Sequence, residues 1–221
     1  MVDNRHPKKN KILDKSSESD DFIIGPITHI KQSKKVESRV LVLDYLPEGK
    51  GFGQDKQREP IIQGIGTTWF TLLELITDRR GSFNQFEEIA LPKVSEKSPI
   101  KQVKRRLTIN DITNTGYQSL EEAVLKIINK NEKRFVSFFN KAQPITNRIH
   151  SLQLIPGIGK KLMWEILQTR KGMPFVSFID VEERVKISDI RKMVLNRVIQ
   201  ELEEDEKHRL FTANPETGPR K

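Results

Sequence analysis

The sequence predicts an α+β fold in which an N-terminal group of β-strands is followed by an all-α half. Up to residue 112, apolar residues occur in short β-rich segments that polar or glycine-containing loops separate. From residue 113 onward, apolar residues recur at intervals of three and four, which is the period of an amphipathic helix. The change of period predicts two domains, residues 22–112 and residues 113–205.

Polar tails flank the two predicted domains. Residues 1–21 mix lysines with the acidic stretch SSESDD and hold nothing that can pack, which predicts a disordered tail of mixed charge. Residues 206–221 end in TANPETGPRK, whose prolines and glycine resist regular structure, which predicts a flexible C-terminal tail.

The N-terminal domain is predicted to be a small β-barrel. Five short strands with no helical period between most of them are typical of such barrels, and an OB-like barrel is the first choice over an open sheet. The third segment is ambiguous because its run LLELI also suits a helix. The five predicted strands are residues 37–46, 61–66, 68–76, 86–91 and 103–110.

The C-terminal domain is predicted to consist of short helices. Ser119 and Glu122 match the S-x-x-E capping box at a helix start. Three phenylalanines at helical spacing favour a buried stripe over a surface for stacking bases. Another apolar series predicts a helix that ends at Leu154. The phenylalanines are Phe135, Phe138 and Phe139, and the second series is Ile145, Ile149 and Leu152.

Composition narrows the function classes. The formal net charge is +9, which favours a polyanionic partner. The absence of cysteine excludes disulfides, thiolate nucleophiles and cysteine-ligated metals, and the four histidines lie far apart. We therefore expect no cofactor and no metal site. No apolar run is long enough to cross a bilayer, so the expected location is the cytoplasm and no membrane partner is expected.

The stretch LIPGIGKKL, residues 154–162, lies between two apolar helical patterns. Gly157 and Gly159 permit a tight reversal, and Ile158 between them can anchor the turn in the seam of two helices. The backbone N–H groups of Gly157, Ile158, Gly159 and Lys160 then cluster at a helix N-terminus, where the helix dipole favours an anion. Lys160 and Lys161 reinforce this predicted phosphate site.

This pattern is typical of the helix-hairpin-helix, an element that binds nucleic acid through phosphates. Its surroundings are basic as well, since residues 141–172 include Arg148 among six cations against a single acid, Glu165. A second copy with the turn KISD, residues 186–189, would make the domain a tandem helix-hairpin-helix. That turn has no glycine and carries Asp189, so we expect it to serve mainly as a packing partner.

The predicted barrel supplies three further candidate contacts to nucleic acid. Phe52 lies in the basic loop GKGFGQDKQR and is the best candidate for an exposed base-stacking ring, with a loop anchor as the equal alternative. Strand alternation places Lys104 and Arg106 on one face, where they would extend a basic surface.

Several longer stretches of the sequence resemble an archaeal family known as domain of unknown function 655. The family joins an OB-like domain to a helix-hairpin-helix domain and has no assigned activity. The resemblance implies a nucleotide- or RNA-binding protein, and the family's genes lying beside translation genes favour RNA over DNA. The matching stretches are residues 43–49, 60–75, 132–161, 174–180 and 197–202.

The sequence therefore predicts a non-enzymatic nucleic-acid-binding protein, with RNA favoured and little dependence on base sequence. One alternative is a protein-interaction adaptor in a ribosomal or transcription assembly, with the charge serving solubility. Another is a DNA repair glycosylase, in which Lys161 and Asp180 would carry the chemistry. The V-D-T-H context of such glycosylases is absent, because this chain has FIDVEE.

Overall fold

Five strands form one antiparallel sheet in the first half of the chain. In the computed structural model, which describes residues 36–49, 59–78, 81–92, 98–203 and 205–213, the strand order is β4-β1-β2-β3-β5. The strands are β1 (Arg39–Leu46), β2 (Ile61–Gly66), β3 (Leu72–Thr77), β4 (Glu88–Ala90) and β5 (Ile100–Arg106). The predicted disordered segment 1–21 and residues 214–221 of the predicted C-terminal tail lie outside the described residues.

The sheet curls into a half-barrel. Its two edge strands, β4 and β5, do not pair with each other in the described residues. Leu91 and Pro92, just after β4, nevertheless line the same cavity of about 460 Å³ as Lys101 and Val103 of β5. The edges therefore face each other across an opening, and a closed barrel is not formed by the described strands.

Both faces of the sheet are apolar. One face holds a separate cluster inside the half-barrel, which includes Val40, Ile62 and Leu75. The other face, with Leu41 and Ile65, packs against the helices. Strands that are buried on both sides read as nearly continuous apolar runs, which is why β1 and β2 were evident in the sequence.

The α+β fold class is confirmed, and the ambiguous third segment is resolved. A turn at residues 67–69 leads through Phe70 and Thr71 into the strand, which is only Leu72–Thr77. Phe70 follows that turn with a φ of 55° and is fully buried. The fifth strand was predicted at residues 103–110, but it begins earlier and ends earlier, at Ile100–Arg106, and a 3-10 turn follows at Ile109–Asp111.

The described residues of the second half contain six α-helices. The predicted stripe of three phenylalanines, Phe135, Phe138 and Phe139, is buried. The helices are α1 (Asn114–Gln118), α2 (Leu120–Lys130), α3 (Glu132–Lys141), α4 (Lys160–Gly172), α5 (Phe178–Val185) and α6 (Ile190–Glu203).

Two local predictions in this half were wrong. Ser119 is the N-cap residue of α2, but its side chain makes no capping hydrogen bond, and its buried hydroxyl instead donates to the carbonyls of Leu43 and Gly116. The predicted helix through Ile145 is instead a loop closed by a bridge between Pro144 and His150. The Thr146 hydroxyl accepts the N–H groups of Arg148 and Ile149, and such local hydrogen bonds compete with helix formation.

The sheet and the helices share one hydrophobic cluster across the predicted domain boundary at residue 112. Leu41 and Leu72 of the sheet belong to it together with Phe135 of α3 and Val198 of α6. The predicted two-part division therefore follows the secondary structure and does not separate two cores. None of the described helices is both long and apolar enough to span a membrane.

Residues 206–213 pack against the body of the protein and differ from the predicted flexible tail. Phe211 and Thr212 are buried, and the Ala213 N–H donates to the carbonyl of Trp69 at 3.1 Å. Arg134 of α3 donates to the carbonyls of Thr68 and Phe211, so it joins the β2–β3 turn to this C-terminal segment. Burial lowers the Arg134 pKa to about 10, although Glu37 and Glu201 act in the opposite direction.

Candidate nucleic-acid interface

The predicted phosphate site is a turn between a short 3-10 helix, Ser151–Leu154, and α4. Gly157 has a φ of +90°, a conformation that L side chains rarely adopt. Gly159 has a φ of −79° and is the N-cap of α4, so its backbone does not require glycine. Ile158 between them is 4% exposed, which agrees with its predicted role as the anchor of the turn.

One of the predicted backbone donors, Ile158, is engaged within the turn. The Ile158 N–H donates to the carbonyl of Ile155 at 3.0 Å and is therefore not available to an anion. No side chain caps the start of α4, where Lys160 and Lys161 are the first two helical residues. The first N–H groups of a helix have no intrahelical acceptor, so those of Lys160 and Lys161 are donors that an anion can reach.

The space above Gly159 also suits an incoming anion. An alanine Cβ built at this position meets no heavy atom within 4 Å. At Gly157 the same construction places the Cβ 3.0 Å from the Met193 Cε of α6. One side of the turn is therefore packed against α6, and the other side is open.

Alanine substitutions at the two glycines are expected to differ. Gly157→Ala should lower the free energy of unfolding by about 1–2 kcal/mol, because a Cβ is strained at positive φ. Gly159→Ala should cost about 0.5 kcal/mol, the modest difference between glycine and alanine at an N-cap. Urea unfolding followed by circular dichroism measures both values. Equal costs for the two variants would contradict this assignment of the turn.

The charged side chains around the turn fall into two groups. Lys160, Lys161 and Arg148 are exposed, and none of them makes an ion pair with a described residue. Arg170, which also counted toward the basic surroundings, donates to the carbonyls of Phe139 and Ala142 and supports the fold. Burial lowers the pKa of Arg170.

Arg148 lies on the loop that leads into the turn, and His150 ends this loop. The His150 Nδ1 accepts the Leu152 N–H at 3.1 Å, which requires an unprotonated ring nitrogen. Burial lowers the His150 pKa, and the positive charge of Arg170 adds to this effect. The neutral imidazole thus caps the 3-10 helix that positions Ile155.

The second turn, KISD, lacks an open helix start. The Glu182 carboxylate accepts the Ile190 N–H at 2.9 Å, and the Asp189 carboxylate accepts the Lys192 N–H at 3.2 Å. Two negative charges therefore occupy the place that a phosphate would take at the start of α6. Ile187 is buried like Ile158, so the second turn matches the first in packing but not in charge.

The sheet candidates do not share one face. The β3–β5 register shifts between Glu74 and Leu75, so the alternation predicted for Lys104 and Arg106 is interrupted. The Lys104 Nζ lies 3.0 Å from the buried carboxylate of Glu74, whereas Arg106 lines the cavity inside the half-barrel. Phe52 lies outside the described residues.

Arg105, which was not among the candidates, joins the same network as Lys104. It pairs with Glu74 at 3.4 Å and with Asp111 at 3.0 Å. Hydrogen bonds from the Thr108 hydroxyl and backbone, with a further bond from Arg105, lower the Asp111 pKa to about 2. Both cations therefore link β5 to β3 through Glu74, and Arg105 also links β5 to the 3-10 turn that follows it.

Sequence reasoning missed one exposed aromatic residue beside the turn. Trp164 of α4 is 55% exposed and lies one helical turn beyond Lys160 and Lys161. The signal was an indole at the i+3 and i+4 positions of two lysines in a predicted helix. Among the described residues, no three histidine, aspartate or glutamate side chains come together as a metal site.

These observations describe an α+β chain in which a curled antiparallel sheet packs on a helical half with one open, basic turn. A family model described as "Protein of unknown function (DUF655)" matches residues 36–213. The chain belongs to this family. Its resemblance to domain of unknown function 655 is thus confirmed over most of its length.

Two archaeal relatives give the extent of the similarity. The uncharacterized protein MJ0038 of Methanocaldococcus jannaschii is 36% identical over 178 residues, which is 80% of each chain. The crystal structure of Af1531 from Archaeoglobus fulgidus, which carries the same family designation, matches with a TM-score of 0.72 and 36% identity. That match covers 80% of this chain and 100% of the Archaeoglobus chain.

Proposed function

We propose that this chain binds nucleic acid, preferentially RNA, through phosphate contacts and without enzymatic activity. The observation that carries the proposal is the start of α4, where no side chain caps the helix and Lys160 and Lys161 are exposed. Backbone donors and two cations then converge on a single anion site. In this proposal the turn and α4 act as the binding half of a helix-hairpin-helix, and the half-barrel is an OB-like domain.

The contrast between the two turns supports this assignment. Both turns bury an isoleucine, but carboxylates cap only the second one. An anion site needs donors without intramolecular acceptors, and only the first turn offers them. The net charge of +9 further favours a polyanion such as RNA.

The test is the double variant Lys160→Glu with Lys161→Glu. We expect its Kd for an RNA strand of about 20 nucleotides to rise at least about tenfold at low salt. The slope of the logarithm of the association constant against the logarithm of the salt concentration should become shallower by about 1.4, since each lost phosphate contact to a single strand contributes about 0.7. The fold should persist, because glutamates are favourable in the first turn of a helix. Fluorescence anisotropy with labelled RNA measures these quantities.

A matched control is Lys186→Glu with Lys192→Glu. It changes the net charge by the same amount, but at the carboxylate-capped second turn, so its Kd should rise less than about threefold. Equal losses for the two double variants would indicate a nonspecific charge effect and contradict a site at the first turn. RNA and DNA strands of the same sequence compared in one assay test the preference for RNA.

An adaptor that binds a protein is the second candidate. Three apolar residues near the α4–α5 connection, Met173, Val176 and Ile179, are each more than half exposed. If the protein is such an adaptor, we expect no measurable binding of RNA or DNA by the wild-type protein at low salt. The glycosylase alternative would need Asp180 as a reactive group. The Asp180 carboxylate instead accepts the Val176 N–H and pairs with Arg184 at 3.1 Å, which favours a structural role.

A further inference from the structure

Trp164 stands out among the aromatic residues. Its side chain is 55% exposed, and it contacts no other described aromatic ring or cation. The chain has two tryptophans, and the other one, Trp69, lies against the guanidinium of Arg134 at 5.4 Å. An indole carries a large apolar surface, so leaving it in water is unfavourable unless a partner covers it.

The position of Trp164 on α4 relates it to the basic turn. Met163 and Ile166 are buried, so the opposite face of the helix points to solvent. Four exposed residues follow one line on that face at intervals of three and four. These residues are Lys161, Trp164, Gln168 and Lys171.

Along this line, the indole lies between two cations. A helix rises 1.5 Å per residue, so Trp164 is about 4.5 Å along the axis from Lys161 and about 10 Å from Lys171. The Lys171 ammonium contacts the Gln168 side chain at 3.5 Å, which directs it along the same line. Glu165 is the one acidic residue of α4. A flat apolar ring between cations matches a strand of alternating bases and phosphates.

We propose that Trp164 stacks on an unpaired base while Lys161 and Lys171 contact phosphates on either side, so that the ligand is single-stranded nucleic acid. This inference rests on the proposed function and specifies its substrate class. Stacking needs an open base face, and within a duplex both faces are covered by neighbouring bases. A membrane surface fits less well, because an interfacial helix presents a broad apolar face and α4 buries its own in the core.

The test uses two single-tryptophan proteins. In Trp69→Phe only Trp164 emits, and in Trp164→Phe only Trp69 emits. We expect saturating single-stranded RNA to quench the Trp164 emission strongly, whereas the Trp69 emission stays within a few per cent. If Trp69→Phe does not fold, the wild-type spectrum minus that of Trp164→Phe gives the same information. Unchanged Trp164 emission at saturation overturns the proposal.

Affinity provides the second readout. Trp164→Ala should raise the Kd for single-stranded RNA at least about fivefold, as expected for one lost base stack, and leave the Kd for a blunt duplex unchanged. Met173→Ala, which removes another exposed apolar side chain, should bind like the wild type. Equal losses for single strand and duplex overturn the stacking role. The stacking role is also overturned if the emission maximum of Trp164 shifts to the blue with anionic phosphatidylglycerol vesicles and does not respond to RNA.

The two proposals fail in different ways. If Trp164→Ala binds single strands like the wild type while Lys160→Glu with Lys161→Glu does not, the stacking inference is overturned and the phosphate site stands. If the wild-type protein binds no nucleic acid at low salt, both are overturned.

Discussion

Replacing Glu201 with alanine is expected to lower the free energy of unfolding by about 3–5 kcal/mol, because it removes the acceptor of the buried Arg197 Nε and of several backbone N–H groups. The Glu201 carboxylate is fully buried and accepts from the Arg197 Nε at 2.8 Å. It also accepts the backbone N–H groups of Leu210, Phe211 and Thr212 at 2.6–3.1 Å. One side chain therefore holds the C-terminal segment against α6.

The matched control is Glu203→Ala, two residues further along α6. Glu203 is exposed and accepts a hydrogen bond from the Tyr117 hydroxyl, so its loss should cost about 0.5 kcal/mol or less. Urea unfolding followed by circular dichroism compares the two variants. A cost below about 1 kcal/mol for Glu201→Ala would show that the segment is held by its apolar contacts alone.

Replacing Gly66 with alanine is the second large expected effect, a loss of about 2–4 kcal/mol. The added Cβ would lie 1.9 Å from the Glu37 Cδ, so the carboxylate must move. That carboxylate accepts the N–H groups of Thr68, Trp69 and Thr71 at 2.9–3.1 Å, and these bonds hold the β2–β3 turn. Displacing the Glu37 side chain therefore removes the acceptor of three backbone N–H groups at once.

A double-mutant cycle identifies the cause. In a Glu37→Ala background the obstacle is absent, so Gly66→Ala should cost less than about 1 kcal/mol and the two effects should be strongly non-additive. Gly172→Ala serves as a glycine control, because its Cβ would meet no heavy atom within 4 Å. Additive effects of Gly66→Ala and Glu37→Ala would contradict the clash.

The sequence predicted the elements whose pattern comes from burial. The strands β1 and β2 and the stripe around Phe135 were evident because burial imposes a regular spacing of apolar residues. Residues 206–213 were not predicted, since they are held by the carboxylate of Glu201 and show no periodicity of their own. A polar acceptor that lies several residues away in the chain leaves no local signal.

The candidate site, like the fold, was predicted only in part. The glycine spacing located the turn, but it does not show that the Ile158 N–H donates within the turn or that carboxylates cap the second turn. The bulge that separates Lys104 from Arg106 was likewise invisible, because register depends on the partner strand. Trp164 lies three and four positions after the two lysines of the predicted helix, but this spacing alone does not show that its indole is exposed.

The bonds made by Glu201 also set an order of events during synthesis. A ribosome produces Glu201 before Leu210, Phe211 and Thr212, whose N–H groups the carboxylate accepts. Until those residues leave the exit tunnel, burying the Glu201 carboxylate beside Arg197 would remove its water without supplying its remaining hydrogen-bond donors. We therefore expect the helical half to complete its packing only after nearly all of the described chain has emerged, so that its folding is late on the nascent chain.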